Sequence, residues 1–584
     1  MITVDHQDFF KCWRFFLRSA WMAILLVFGC HSPELYAQAL QGTSVPDFFG
    51  IDSNTNLVNL ADLLGANTFY NAGVYGQNTT AWVVDSQLVG TNLFPEENIS
   101  NLTYTYESSD AVTSPGDHAT WCAALLGGYA APGYFLNTGI APSTSLGSAA
   151  LATSTNSDGS FSVSQQSLTA YNYAASHGDV LSTSIGDSSD TAGVGILSGL
   201  LDSLAVANPN TTMVAAAGNS GTAGSVGGPA SGYNSISVGA LDGPTNYNVV
   251  ASFSSTGPLQ TAWYDGTNTL YYNSGASTRP GVDLMAPGTS IVMPITTNAG
   301  SISYYSLAGT SFATPLVAGG ATLLDSTAKT AFNSSITNAA TQSVVIKAAL
   351  MNSADKLSGW NNGQQIVNGV ITTTQALDWS MGAGRMNLNA AFSQYTSSAY
   401  VTTSGGISYT GFTANVANVG WAYGTAQLGS QNSYQLANQL FAGQYVAVTL
   451  DWLRSQTWNS SLGDYVDVAQ AELDLMVYQV LSGGSDQLVA ESISPVSTTQ
   501  ELYFQLQNDG TYMIQVGYST NLFDLSNSYS SQDYGLAWSA DAVPEPPTVM
   551  LLLAGGVIVF LELEGFSSLL RRWCSSPVSD RKNT

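Results

Sequence analysis

The chain has 584 residues, enough for two to four domains at about 100–200 residues each and for large buried cores. Only 9% of its residues are Asp, Glu, Lys or Arg, against about 25% in ordinary soluble proteins, and 39 acids face 13 bases for a net charge of −26. That balance repels phosphate backbones and anionic lipid and excludes nucleic-acid binding, while 45% hydrophobic and 11% aromatic content excludes disorder. At the N-terminus, Lys11, Arg14 and Arg18 precede the apolar run Trp21–Phe28 and the small-residue site Ala37-Gln38-Ala39. This order reads as a secretory signal peptide over residues 1–39, with an apolar run too short to span a bilayer. Residues 40–76 then form a lead segment. Between residues 40 and 543 the only cations are Arg279, Lys329, Lys347, Lys356, Arg385 and Arg454. Cys122 is the one cysteine there, so no internal disulfide is expected.

From residue 77 to 395, short apolar strands alternate with small-residue helices. Strands are predicted over Thr80–Val84, Val180–Ser184, Thr212–Ala217 and Ser235–Val238, and helices over His118–Leu126, Leu168–Ser176, Ser311–Leu324 and Ser343–Asn352. The alternation predicts an α/β domain with a mainly parallel sheet flanked by helices. After Tyr395 the period changes to two, as in Leu502, Phe504, Leu506 and, beyond the turn Asn508-Asp509-Gly510, Tyr512, Ile514, Val516. An all-β sandwich over residues 396–543 follows from that pattern.

General-base chemistry near neutral pH calls for a histidine, and only His118 and His177 lie in the exported part. His118 opens a helix of small residues, whereas His177 sits in a polar turn. Cys122 is four residues beyond His118, a spacing compatible with metal binding, but the sequence brings no third ligand to the pair. Ser311, in Gly309-Thr310-Ser311-Phe312-Ala313-Thr314-Pro315, starts a helix whose N–H groups and dipole lie beside its oxygen. Pro315 is read as lying in the tolerant first turn. Asp85 ends a buried strand, at the sheet edge where α/β proteins hold functional groups. Asn219 lies in a Gly-rich turn after a strand, where its amide is placed to donate to an oxyanion.

These segments resemble the subtilisin-like serine proteases, the subtilases, in the order Asp, His, Ser. The likeness runs through Gly139-Ile140-Ala141-Pro142, Ser184-Ile185-Gly186, Ala217-Gly218-Asn219, Met285-Ala286-Pro287-Gly288 and Gly309–Pro315 to Gly382-Ala383-Gly384-Arg385. It implies that Ser311 is the nucleophile, His118 the base, Asp85 its orienting partner and Asn219 an oxyanion donor. It also implies that Ser184, Ile185 and Gly186 with Ala216, Ala217 and Gly218 wall the substrate slot, whose small uncharged residues suggest apolar substrate side chains. Protein or peptide is then the substrate, no cofactor is required for the chemistry, and calcium is a family-level structural expectation without a located site. Gln87 replaces the usual Gly, and Ala119, Trp121, Cys122 and Ala124 depart from the family's histidine segment, with Trp121 bulky beside the site. The short stretch between Ala39 and Asp85 argues against the family's usual folded propeptide. The sandwich resembles the bacterial pre-peptidase C-terminal domain in Glu472–Leu475, Gly510-Thr511-Tyr512 and Tyr534–Ser539. A secreted or surface-tethered endopeptidase is the expectation. The alternative is a catalytically silent subtilase-fold matrix protein with a binding sandwich.

The C-terminus carries Val543-Pro544-Glu545-Pro546, an apolar stretch Val549–Leu561 and Arg571-Arg572. This order over residues 544–573 resembles the PEP-CTERM sorting signal, followed by a tail over 574–584. The resemblance implies an exosortase-like partner, membrane contact through the apolar segment (a transmembrane helix) before processing, and a Gram-negative cell surface or exterior.

Overall fold

A computed structural model of the chain describes residues 2–4, 49–51, 57–91, 97–130, 139–156, 160–265, 270–272, 278–296, 302–401, 403–404, 407–408, 411–459 and 464–542. The signal-peptide reading beyond residue 4 and the sorting signal lie outside these residues. Among the described residues no helix is long and apolar enough to cross a membrane.

The strands that build the first layer are β1 (Phe49–Ile51), β2 (Leu57–Asn59), β3 (Thr80–Asp85), β4 (Leu102–Glu107), β5 (Ser145–Ala150), β6 (Val180–Thr183), β7 (Thr212–Ala216), β8 (Ile236–Leu241) and β9 (Leu284–Pro287). Seven of them form one sheet in the order β9-β8-β7-β6-β3-β5-β4, every pair parallel. Its central strands are buried on both faces, which is why Trp82-Val83-Val84 and Met213-Val214-Ala215 run apolar without alternation. Helices α1 (Leu60–Leu64), α2 (Asn67–Asn71), α3 (Asp117–Gly127), α4 (Thr169–His177), α5 (Ile196–Ala207), α6 (Thr310–Ala331), α7 (Ser343–Asn352) and α8 (Leu388–Ser397) complete the layer. The fold is the expected mainly parallel α/β arrangement.

Two regions depart from the sequence reading. The lead segment is part of this core: Leu60, Leu64 and Phe69 are buried, and Phe69 meets Phe392 edge-on at 4.8 Å. Its strands β1 and β2 join a hairpin, β10 (Ile291–Thr296) and β11 (Ile302–Leu307), in an antiparallel sheet. Second, the hairpin β12 (Gln365–Val367) and β13 (Val370–Thr373) leaves the α/β region and extends a sheet of the C-terminal part.

That C-terminal part is built from β14 (Ala399–Val401), β15 (Thr413–Val416), β16 (Val419–Gln427), β17 (Gln431–Leu436), β18 (Tyr445–Trp452), β19 (Ser455–Asn459), β20 (Asp464–Val480), β21 (Gln487–Ser492), β22 (Thr499–Gln505), β23 (Thr511–Asp524) and β24 (Ser531–Ala542). One sheet runs β12-β13-β21-β20-β23-β17-β15, with β19 also paired to β20, and the other runs β14-β16-β24-β18-β22. Leu473, Leu475, Val477, Ile514 and Val516 pack with Leu450, Leu502 and Trp538 in a core of their own.

The two parts meet over buried polar groups. Helix α5 lies under β19 and β20, and at Gly199 a Cβ would fall inside the Tyr465 ring, so only glycine permits this approach. Arg454, fully buried, pairs with Asp467 at 2.9 Å, donates to the Ala262 carbonyl at 2.7 Å and stacks on Tyr233 at 3.9 Å. Lys347 bridges Asp283 (3.3 Å) and Asp451 (3.4 Å), and Lys356 reaches Glu501 at 2.7 Å. Lys329 pairs with Asp179 and Asp325, Arg385 with Asp355, and Arg279 donates to backbone carbonyls while stacking on Tyr233. Every cation between residues 40 and 543 is therefore committed to the protein's own structure.

Candidate active site

The carboxyl edge of the parallel sheet gathers the site. Asp85 ends β3 and is fully buried; its Oδ1 accepts from Ser86 N (2.6 Å) and Ser86 Oγ (3.1 Å), leaving Oδ2 for His118 Nδ1 at 2.8 Å. With an ionised carboxylate as acceptor, Nδ1 carries the proton and Nε2 is the basic nitrogen. Burial pulls the imidazole pKa down, but the charge and hydrogen bond of Asp85 outweigh it and leave His118 above its usual range. Its side chain is 17% exposed, while Nε2 itself is buried.

Gly116 caps α3, and His118 stands in that helix's first turn; residues Ala119 to Gly127 are all buried. Gln87 donates to Ser114 Oγ at 2.8 Å, tying the end of β3 to the loop before α3. Trp121 is only 7% exposed and faces Phe312 at 6.3 Å, so its bulk lies in the core beside the nucleophile segment instead of standing in the cleft.

Ser311 is the second residue of α6. Pro315 sits in this helix beyond its first four residues, not in the first turn, and lacks the N–H that would bond the Ser311 carbonyl. Two side chains replace that donor: Ser184 Oγ at 2.9 Å and Cys122 Sγ at 3.4 Å. The Ser311 hydroxyl in turn donates to the Ser184 carbonyl at 2.9 Å. The ring of His118 lies 6.1 Å from that of Phe312, the residue next to Ser311.

Asn219 is positioned by Thr310, a residue the sequence reading did not assign. Asn219 Oδ1 accepts from Thr310 N (2.9 Å) and Oγ1 (3.1 Å), so the amide's Nδ2 is the group left to donate. Thr310 Oγ1 also accepts from Gly218 N at 3.2 Å. Ser184, Ile185 and Gly186 face Ala216, Ala217 and Gly218 across a slot that also touches Asn219 and Ser311. All the assigned site residues are thus brought together. Among the further slot residues that the motif reading did not assign, one is charged, Asp187.

Asp85, His118 and Cys122 place their ligand atoms within 4.8 Å of one another, which supplies the third partner missing from the sequence. The chemistry is wrong for calcium, which takes oxygen ligands. Burial and the Asp85 charge also push the Cys122 thiol well above its usual range, so it stays protonated and donates to Ser311. Asp85 and His118 are already spent on each other.

The model of the subtilase family (peptidase S8) matches residues 76–384, more than half of the chain. The chain belongs to the subtilase family. It is also similar to the thermophilic serine proteinase of Bacillus sp. (strain AK1), at 36% identity over 152 residues. That match covers 26% of this chain and 27% of the relative's own length. If Asn219 donates to the oxyanion, as the subtilase resemblance implies, Asn219→Ala should lower kcat about 10²–10³-fold with a smaller change in KM. Steady-state kinetics on one peptide would check this, and an effect confined to KM would refute the oxyanion role.

Proposed function

We propose that this subtilase is an exported serine endopeptidase. The observation that carries the reading is the buried Asp85 carboxylate 2.8 Å from His118 Nδ1, in a subtilase whose Ser311 opens α6 beside them. His118 Nε2 takes the Ser311 proton as Oγ attacks the scissile carbonyl. Asn219 Nδ2 and the Ser311 backbone N–H receive the oxyanion. The imidazolium, held by Asp85, then gives its proton to the leaving amine, and water hydrolyses the acyl-enzyme by the same route.

Export rests on the N-terminal signal pattern. Surface sorting, a Gram-negative source, an exosortase-like partner and transient membrane contact rest on the PEP-CTERM resemblance of residues 544–573. Calcium stays a family-level proposal, tested by a melting temperature that rises with calcium and falls with chelator.

The silent-protein alternative draws on the altered His118 segment. A fluorophosphonate probe separates the two: wild type should label and Ser311→Ala should not. Absence of label on the wild type, under conditions that label an ordinary serine protease, would sink the peptidase reading.

A further inference from the structure

The substrate slot is less neutral than its walls suggested. Asp187 lines it, directly after Gly186, and its backbone is pinned to the opposite wall through Asp187 N to Gly228 O (2.6 Å) and Gly228 N to Asp187 O (3.0 Å). At Gly227 a Cβ would stand 2.6 Å from the Asp187 carbonyl, so glycine is what lets the two walls close on each other. Asp187 as a residue is half-buried, and only one of its carboxylate oxygens is used: Oδ1 accepts from Ser189 N (2.9 Å) and Ser189 Oγ (2.6 Å).

Among the described residues no cation meets the remaining oxygen, Oδ2. All six between residues 40 and 543 are held elsewhere, in ion pairs or, for Arg279, against carbonyls and Tyr233. The neighbouring acid, Asp190, is already satisfied by Val194 N at 3.0 Å and Ser198 Oγ at 2.6 Å. On the His118 side of the cleft, the exposed charge is again an acid, Asp117. The other slot groups are hydroxyls and small side chains, Ser184, Ser188, Ser220 and Ser225 among them. An apolar side chain packed against the Asp187 carboxylate would cover its unbonded oxygen and return nothing to it. A lysine or arginine would supply both the charge and the donor.

We infer that Asp187 determines specificity in this slot and that the enzyme cleaves after Lys or Arg. The inference rests on the peptidase reading and sharpens it, replacing the apolar preference expected from the motif residues alone. The chain's net charge of −26 works in the same direction, because it attracts cationic polypeptides and repels acidic ones.

The test uses the exported chain and fluorogenic peptides that differ only in the residue before the scissile bond: Lys, Arg, Leu or Glu. Wild type should favour Lys and Arg over Leu roughly 10- to 100-fold in kcat/KM, the range of a charge-assisted hydrogen bond. Asp187→Asn should collapse that ratio toward one, mainly through KM, and Asp187→Glu should restore most of it. Asp187→Lys should invert the order of the Lys and Glu peptides. A wild type that prefers Leu overturns the assignment, and so does a Lys preference that survives Asp187→Asn. These outcomes presuppose cleavage. If no peptide is cut and Ser311 takes no fluorophosphonate, the peptidase reading itself has failed and the Asp187 assignment falls with it.

Discussion

Replacement of Asp85 by Asn should lower kcat about 10⁴-fold while leaving the fold intact. The side chain is fully buried and isosteric with its replacement, so packing is kept. What changes is the proton. Oδ2 now accepts from His118 Nδ1 at 2.8 Å. An amide nitrogen at that place would donate instead, turning Nδ1 into the acceptor and putting the proton on Nε2. His118 could then no longer take the Ser311 proton. The same variant should move the pH profile. Asp85 holds the His118 pKa above its usual range, so activity of the wild type is lost as pH falls through that raised value. Without the carboxylate charge, whatever activity remains should persist to lower pH. A kcat/KM profile whose acid limb stays in place would show that Asp85 does not set the charge state of His118.

The order Asp85, His118, Ser311 was legible because these residues sit where sheet and helix ends are marked by strong local signals. The predicted helix Ser343–Asn352 matches α7, and Thr80–Val84 falls one residue short of β3. Helix α6 runs on to Ala331, past the predicted Leu324, partly because Asp325 and Lys329 pair four residues apart at 2.8 Å. Helix α5 had no visible period: Leu197, Leu200 and Leu204 are buried, but so are Ser198, Gly199, Asp202 and Ser203. Its polar side chains are used inside the protein, Ser198 donating to Asp190 and Asp202 accepting from Tyr233 N and Asn234 N, so the alternation that betrays a surface helix is missing. Thr310 and Asp187 escaped for a different reason. Each matters through a partner far along the chain, Asn219 for one and Gly228 for the other, and no local pattern encodes such a meeting. The expected apolar slot preference weighed the motif residues and not Asp187, which follows them in the wall.

The largest stability effect is expected where the few cations were spent. Arg454→Met should destabilise the protein by about 3–5 kcal/mol, because it strips the charge facing buried Asp467 and Asp202. The electrostatics favour the cation: although burial opposes its charge, Asp467 and its neighbours raise the Arg454 pKa above the ordinary guanidinium value. The carboxylates fare differently. Burial pushes Glu501 up to about 7 against the pull of Lys356, and Asp202 and Asp451 up to about 6. Folded carboxylates with raised pKa values hold protons more tightly than the unfolded chain does. Their contribution to stability is therefore complete below about pH 4 and is lost as pH rises through 6 to 7, at up to about 1.4 kcal/mol per pKa unit for each group. Glu501→Gln, which keeps an acceptor for Lys356 and removes the costly charge, should be neutral or stabilising at pH 8 and should flatten the decline with pH. Because α5, the β12–β13 hairpin and these buried pairs join both parts, melting should be one cooperative transition. Calorimetry in a Ser311→Ala background, which prevents self-digestion, would read all three effects. Separate transitions for the α/β layer and the sandwich, or an Arg454→Met variant as stable as its parent, would show that the two parts meet without depending on each other.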